Sequence, residues 1–391
     1  MNSELREKVI QSYQEQFGSG PDLIIRAPGR INLLGEHTDY NMGFVLPGAI
    51  DKSIYIALGE TDGPDSTVIS LDFNDSIKFE TTNPTRAEKG WGNYVQGVVD
   101  QLQKIKMMPG SFKAVFSGDI PIGSGMSSSA ALECGFGTGL NRLYSFGLDK
   151  KEIAKVGQAA EFAFAGVKCG IMDQFASVLG KQDKVIRIDC RNLEYSYHDL
   201  EFPGYELILI NSMVEHELAS SEYNVRRQEC ETAVEKLKTQ NESIQSLRDA
   251  QIQDIERIKA EVEDNVYRRA KFIVNENNRV LKMIDLLSDR DLQSAGSLMY
   301  ETHEGLSKNY EVSCEELDYL ISLAKKESGI VGGRMMGGGF GGCTINLINK
   351  SDRDSILERI TEAYKSKYDI DPEVYQVNLS DGVHFLENNP V

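Results

Sequence analysis

The chain has 391 residues, 40% of them hydrophobic and 26% charged, and its 60 Asp and Glu against 42 Lys and Arg leave a formal net charge of −18. That mix excludes a wholly disordered chain, and the length exceeds one small domain. The acidic balance argues against a nucleic-acid or anionic-membrane surface, which wants clustered Lys and Arg, but a local nest of backbone N–H groups still suits a small anion.

In chain order, residues 4–17 read as a short opening helix. Leu23–Arg26 reads as a brief apolar strand that runs into a turn at Pro28-Gly29. The β-branched runs Ile54–Leu58 and Val68–Leu71 are bounded by Gly, Asp and Pro and predict strands. Tyr94–Ile105 has helical spacing, and Phe112–Phe116 is a further strand. A glycine–serine loop comes next, then helices over Ser128–Leu143 and Glu152–Ala165. Val185–Asp189 and Leu207–Ile210 predict strands. From Ser220 to about Leu287 the chain is charged and strongly helical. Leu317–Ala324 is a helix, 332–342 a glycine-rich loop, Cys343–Ile348 a strand, Asp352–Lys365 a helix, and Val374–Val377 strand-like. Mixed elements with strand pairs favour an α+β fold in two domains, 1–205 and 206–391.

No apolar run nears the roughly 20 residues that span a bilayer. The opening residues lack the apolar core of a signal peptide. The cysteines (Cys134, Cys169, Cys190, Cys230, Cys314, Cys343) show neither CxxC nor metal-ligand spacing. Reduced thiols and a cytoplasmic location are therefore expected.

Four stretches carry chemistry. In Pro121–Ala131, Gly123 and Gly125 permit a tight turn, and Ser127, Ser128 and Ser129 fall at a helix start. That is either a phosphate cradle on the positive end of a helix or a plain serine cap. There is no GxxxxGK[ST], so any bound nucleotide lacks a P-loop lysine, and a serine hydroxyl becomes a candidate magnesium ligand. The run Gly332–Gly342 contains a nominal GxGxxG at Gly337, Gly339 and Gly342, but a strand comes after it where a dinucleotide fingerprint must open a helix. So many glycines mark either a mobile loop or a backbone in close approach to a ligand or another loop. Between Ala27 and Asn41, the groups of Arg30, Glu36, His37 and Asp39 crowd one short segment, and such groups suit the hydroxyls of a sugar. Asp173 lies between apolar residues just after a helix, either a general base or a satisfied structural carboxylate. Trp91, the one tryptophan, either stacks on a base or fills a core. His198, His216, His303 and His384 are isolated, so no zinc site is expected.

Taken together, APGRINLLGEHTDYN (27–41), PIGSGMSSSAALE (121–133), CGIMDQF (169–175) and GGRMMGGGFGGC (332–343) resemble, in order, the motifs of the galactokinases of the GHMP small-molecule kinase superfamily. ASSEYNVRR (219–227) and YEVSCEELD (310–318) add two more stretches. The resemblance implies an N-terminal α+β domain like a ribosomal-protein fold and a ferredoxin-like C-terminal α+β domain, with the active site between them. It implies transfer of the γ-phosphoryl of ATP to the C1 hydroxyl of α-D-galactose in galactose catabolism, with Mg2+ and with no obligate protein partner. In that reading Asp173 takes the hydroxyl proton, while Arg30 stabilises its anion and neutralises the transferred group. Glu36, His37, Asp39, Gly170 and Tyr223 hold the sugar. Gly123, Ser124, Gly125, Met126, Ser127, Ser128, Ser129 and Ala130 cradle the triphosphate, Trp91 lies by the adenine, and Ser129 and Glu161 contact magnesium. Two rivals share these motifs. An N-acetylgalactosamine kinase departs around His37–Asn41, typically with a bulkier residue at Thr38, and a non-catalytic galactose and ATP sensor is shortened in the serine–alanine run. Glu215 is a departure, since relatives often carry a basic residue there.

Overall fold

The computed structural model describes residues 2–88, 90–215 and 219–387. Its largest sheet has six strands in the order His384–Leu386, Leu23–Asn32, Pro47–Glu60, Phe112–Gly118, Asp65–Ser70 and Asp75–Glu80. Neighbours run antiparallel except Asp65–Ser70 beside Phe112–Gly118. Strand periodicity decides what each face meets. From Pro47–Glu60, Ile54, Ile56 and Leu58 enter the main core under the helices. The intervening Tyr55 and Ala57 pack instead with Val9 and Tyr13 of the opening helix Ser3–Phe17.

A second, four-stranded antiparallel sheet has the order Ile330–Met335, Gly341–Asn349, Tyr205–Glu215, Glu373–Gln376. It is sided in the same way. Ile208, Ile210 and Ile348 meet the helices Glu315–Ala324 and Arg353–Tyr368, whereas Leu207, Leu209, Ile345 and Leu347 join the main core. One apolar core therefore runs beneath both large sheets. Phe44–Val45, Lys184–Asp189 and Glu194–Asp199 form a third, three-stranded sheet. The helices Ala219–Gln240, Ile252–Ile258 and Asp264–Asp289 bury a separate apolar cluster. This mixed architecture agrees with the α+β expectation. Among the described residues, no helix is long and apolar enough to cross a membrane.

Three local expectations are corrected. Pro28-Gly29 does not end its strand: the chain continues to Asn32, with the register shifting between Pro28 and Arg30. Such an irregularity absorbs the missing N–H of proline and re-aims the residues beyond it. The helix expected to reach Ala165 closes as α-helix at Ala160. Its last turn, Glu161–Ala165, widens so that Gly166 N bonds Glu161 O at 3.0 Å, and wide turns of this kind mark functional positions. Gly332–Met335 is strand rather than loop. A Cβ on Gly332 would lie 2.4 Å from the Cα of Gly296, so this glycine serves close packing of a helix on a strand. The helix Leu292–Gly305 and the strand His384–Leu386 were not anticipated.

Candidate active site

The bulged strand delivers Arg30 to the glycine–serine loop, where its N–H bonds Met126 O at 3.0 Å. Its guanidinium grips Asp173 in a two-point pair, with Nε to Oδ1 and Nη2 to Oδ2 both at 2.8 Å, while Nη1 donates to Gly125 O. Burial alone lowers the pKa of Arg30, but the nearby carboxylates, Asp173 first and then Glu36, outweigh it and raise the pKa. Asp173 sits in the first turn of the helix Met172–Leu179.

Gly123, Gly125 and Ser127 all have positive φ, at 71°, 75° and 58°. The chain thereby folds back and opens the helix Ser128–Leu143 toward the Arg30–Asp173 pair. Ser127 does not cap that helix: its hydroxyl donates to Asp173 Oδ2 instead. The first backbone N–H groups of the helix have no intrahelical acceptor, a geometry that suits an anion. Ser124 Oγ donates to Pro121 O at 2.6 Å. Met126 and Ala130 are fully buried, so their side chains belong to the core. The choice left open for the second glycine run is settled at Gly337, whose Cβ would lie 3.3 Å from Gly125 Cα, and at Gly125, whose Cβ would lie 2.9 Å from Met336 O. These two loops meet backbone to backbone, which leaves no room for side chains.

Behind the loop lies a row of carboxylates. Ser129 Oγ donates to Glu161 Oε1 at 3.3 Å, and Gln174 Nε2 reaches Glu161 Oε2 at 2.8 Å and Glu133 Oε2 at 3.0 Å. Burial first, and Asp173 second, push Glu161 up to about 7. Glu133 is fully buried, and burial followed by Glu161 drives it well above the usual carboxyl range. Of these three acids, Asp173 is the one paired with the Arg30 guanidinium. Gln174 and Glu133 were not singled out from sequence, although both lie inside recognised motifs.

Glu36, His37, Asp39, Gly170, Asp173 and Tyr223 line a cavity of about 230 Å³, together with Arg30, Glu161 and the Gly337–Phe340 loop. Every residue expected to hold a sugar is in its wall. Glu36 Oε1 accepts from Gly337 N at 2.8 Å and from Arg334, a wholly buried residue whose Nε also donates to Leu33 O at 2.9 Å. Arg334 was missed, and a lone cation inside a glycine run was its signal. His37 takes φ 63° and bonds Tyr40 OH through Nδ1 (2.8 Å) and Gly338 O through Nε2 (3.2 Å). Burial, against the bond to Gly338, lowers it to about 3. Asp39 is raised to about 7 by burial and then by Asp173. Tyr223 packs on His37 with ring centres 5.1 Å apart.

A second cavity of about 910 Å³ lies on the other side of the serine run, walled by Trp91, Tyr94, Phe116, Ser128 and Ser129. Trp91 belongs to the core, edge-on to Phe116 at 5.3 Å, and also to this wall, where its buried Nε1 lacks a hydrogen-bond partner among the described residues. The two cavities adjoin at the Ser129–Glu161 contact. His216 and the side chain of Glu215 lie outside the described residues.

Comparison with known proteins shows the family. Residues 11–60 match the galactokinase galactose-binding signature, 93–181 the GHMP kinase N-terminal domain and 283–366 the GHMP kinase C-terminal domain. Galactokinase of Thermotoga petrophila is 40% identical over 92% of this chain and 99% of its own length. That of Clostridium acetobutylicum is 41% identical over 95% and 97%. The crystal structure of Lactococcus lactis galactokinase complexed with galactose superposes with a TM-score of 0.93 at 31% identity, covering 98% of this chain and 99% of that one. A mevalonate kinase structure shares the fold alone, with a TM-score of 0.62 at 18% identity. By its motifs, its fold and the relatives it matches along nearly its whole length, the chain belongs to the galactokinase family of GHMP kinases.

Proposed function

We propose that this sugar kinase transfers the γ-phosphoryl of ATP to the C1 hydroxyl of α-D-galactose, giving galactose 1-phosphate and ADP. The observation that carries the reading is the Arg30–Asp173 pair, which stands where the small cavity meets the serine run. Phosphoryl transfer asks for alignment and charge neutralisation more than for covalent help. Asp173 receives the C1 proton, held in orientation by Arg30 and Ser127. Arg30 and the N–H groups of the helix Ser128–Leu143 stabilise charge on the phosphoryl oxygens. Glu36, His37, Asp39 and Tyr223 fix the hexose, and the backbone at Gly170 lets Asp39 approach it. The larger cavity takes the nucleotide, with Trp91 along its apolar wall.

The residues fit a magnesium ion. The neighbouring charge of Asp173 adds to burial in raising Glu161, Ser129 offers a neutral oxygen beside Glu161, and a small hard ion needs only one or two protein ligands besides phosphates. Ser129 and Glu161 would hold the ion, which supplies charge neutralisation on the triphosphate when bound.

Division near residue 205 is supported by the start of the second sheet at Tyr205, although the last strand, His384–Leu386, returns to the first. A cytoplasmic setting accords with the free thiols. The N-acetylgalactosamine reading asks more of the cavity. Position 38 is a buried Thr whose hydroxyl donates to Gly35 O at 2.8 Å, in place of the bulkier residue typical of that branch. The complete serine run and the placed Asp173 favour an enzyme over a sensor. A coupled ADP-release assay over galactose, N-acetylgalactosamine, glucose and arabinose, with phosphorus NMR of the product, tests the reading. We expect turnover with galactose and an anomeric phosphate. ATP binding without turnover, or preference for the N-acetyl sugar, overturns it.

A further inference from the structure

Two stretches, 219–227 and 310–318, have no part in the mechanism beyond Tyr223, yet they converge behind the sugar cavity. Arg226 Nε donates to Tyr310 O at 2.9 Å and its Nη2 donates to Glu311 O at 2.6 Å. This fixes Tyr310 on the rear of His37, with ring centres 4.8 Å apart. A chain of polar contacts runs outward from there. His37 Nε2 is 3.2 Å from Gly338 O, Nδ1 is 2.8 Å from Tyr40 OH, Tyr40 OH is 2.7 Å from Tyr310 OH, and Tyr310 OH is 3.2 Å from Cys230 Sγ. His37, Tyr310 and Cys230 are all buried.

Proton counting gives this chain one direction. A carbonyl oxygen only accepts, so His37 Nε2 carries hydrogen. In a neutral ring Nδ1 is then a lone pair and takes the single proton of Tyr40. Tyr40 oxygen is left to accept from Tyr310, and Tyr310 oxygen to accept from the Cys230 thiol. Each link is satisfied only if the next one points inward.

We propose that Tyr40 and Tyr310 are positioning residues that hold His37 in the tautomer protonated on Nε2, so that the imidazole presents a donor to the sugar cavity. Gly338, which shares that donor, is itself a cavity wall, and a sugar oxygen placed there competes for the same hydrogen. Burial, which disfavours the charged ring, supports the neutral form. The inference rests on the sugar reading of the cavity and adds to it what sets the polarity of one wall.

The test is nitrogen NMR on histidine-labelled protein at pH 7, with His37 assigned by loss of its signals in His37→Gln. Wild type is expected to show one neutral tautomer with hydrogen on Nε2. Tyr310→Phe is expected to mix in the other tautomer and to raise KM for galactose about three- to tenfold, with KM for ATP unchanged, the scale of one lost neutral hydrogen bond. A charged or Nδ1-protonated His37 in wild type overturns the proposal, as does a folded Tyr310→Phe with unaltered spectrum and KM. If Tyr310→Phe does not fold, Cys230→Ala, which removes only the outermost donor, must shift the same signals in the same direction or the proposal fails. Absence of galactose-dependent ADP release in wild type would sink the kinase reading by itself, while the tautomer is still decided by the spectrum.

Discussion

Arg334 and Glu36 are both buried out of solvent, and the guanidinium reaches Glu36 Oε1 from Nη1 and Nη2 at 3.1 Å each. The remaining donors of Arg334 go to the carbonyls of Leu33, Asn32 and Met335. One side chain from the second sheet thus holds the strand-to-loop passage that carries Glu36 to the wall of the smaller cavity. Breaking a buried pair leaves an uncompensated charge, at a cost of about 3–5 kcal/mol. Arg334→Met should lower the denaturation midpoint accordingly and raise KM for galactose. Arg334→Lys should recover little, since an ammonium cannot make the forked set of bonds. An unchanged midpoint in Arg334→Met would remove the clamp.

Asp173→Asn keeps the shape of the Arg30 site and removes the proton acceptor. Galactose binding by calorimetry should persist while kcat falls by about 10²- to 10⁴-fold. Near-normal turnover in that variant ends the base assignment. Ser127→Ala, which deletes one donor to Asp173, should have a smaller effect on kcat and none on galactose affinity.

At Gly170 the constraint is space. A Cβ there would lie 1.9 Å from Asp39 Oδ2 and 2.0 Å from its Cγ. Gly170→Ala must therefore push the Asp39 carboxylate out of the cavity wall. The expected signature is a KM for galactose raised by about tenfold or more, from the loss of a charged hydrogen bond, with KM for ATP near its original value. Equal changes in both constants would contradict it.

The acidity of the cavity sets a pH dependence. Asp39, raised to about 7 by burial and then by Asp173, is protonated below that pH and charged above it. A sugar hydroxyl donates well to the carboxylate and poorly to the acid, so KM for galactose should fall as pH rises from 6 to 8. His37, lowered to about 3 by burial, stays neutral over the same range and adds no slope. Asp39→Asn should raise KM and flatten the profile, and a sloped profile in that variant points to another group.

Ser129 and Glu161 can be separated from the sugar site by metal titration. Ser129→Ala and Glu161→Gln should raise the magnesium concentration needed for half-maximal rate and leave galactose binding in the absence of nucleotide unaltered. Weakened galactose binding with an unchanged magnesium requirement would assign Glu161, which also lines the smaller cavity, to the sugar instead.

Much of this was legible from local pattern. The helix Ser128–Leu143 is announced by glycines and serines leading into an alanine-rich run, and its observed bounds agree with the expected ones because propensity and packing point the same way. Glu36, His37 and Asp39 lie together because they crowd one short turn-rich segment, whereas Gly170 and Tyr223, on distant segments, were expected from the family resemblance alone. Positions whose role depends on distant partners were not legible. Arg334 finds its acceptors about 300 residues away. Glu133 sits in a helix pattern that gives no hint of a buried acid. The strand His384–Leu386 is only three residues long and exists because Leu23–Asn32 offers it an open edge.

While the roles of Asp173 and Arg30 in phosphoryl transfer came from the family resemblance, the order of residues by itself determined the chemistry on offer, which is an acid inside an apolar run, a glycine–serine loop at a helix start and a crowded polar segment that suits hydroxyls. These come from residue type and short-range spacing, which the chain carries along its length. Only the tertiary structure decided that Ser127 serves Asp173 rather than its own helix, that two glycine runs close on each other, and that His37 leans on tyrosines from two separate segments. The reason is physical. Burial and hydrogen-bond direction are properties of a packed interior, and neither exists until segments hundreds of residues apart exclude water together.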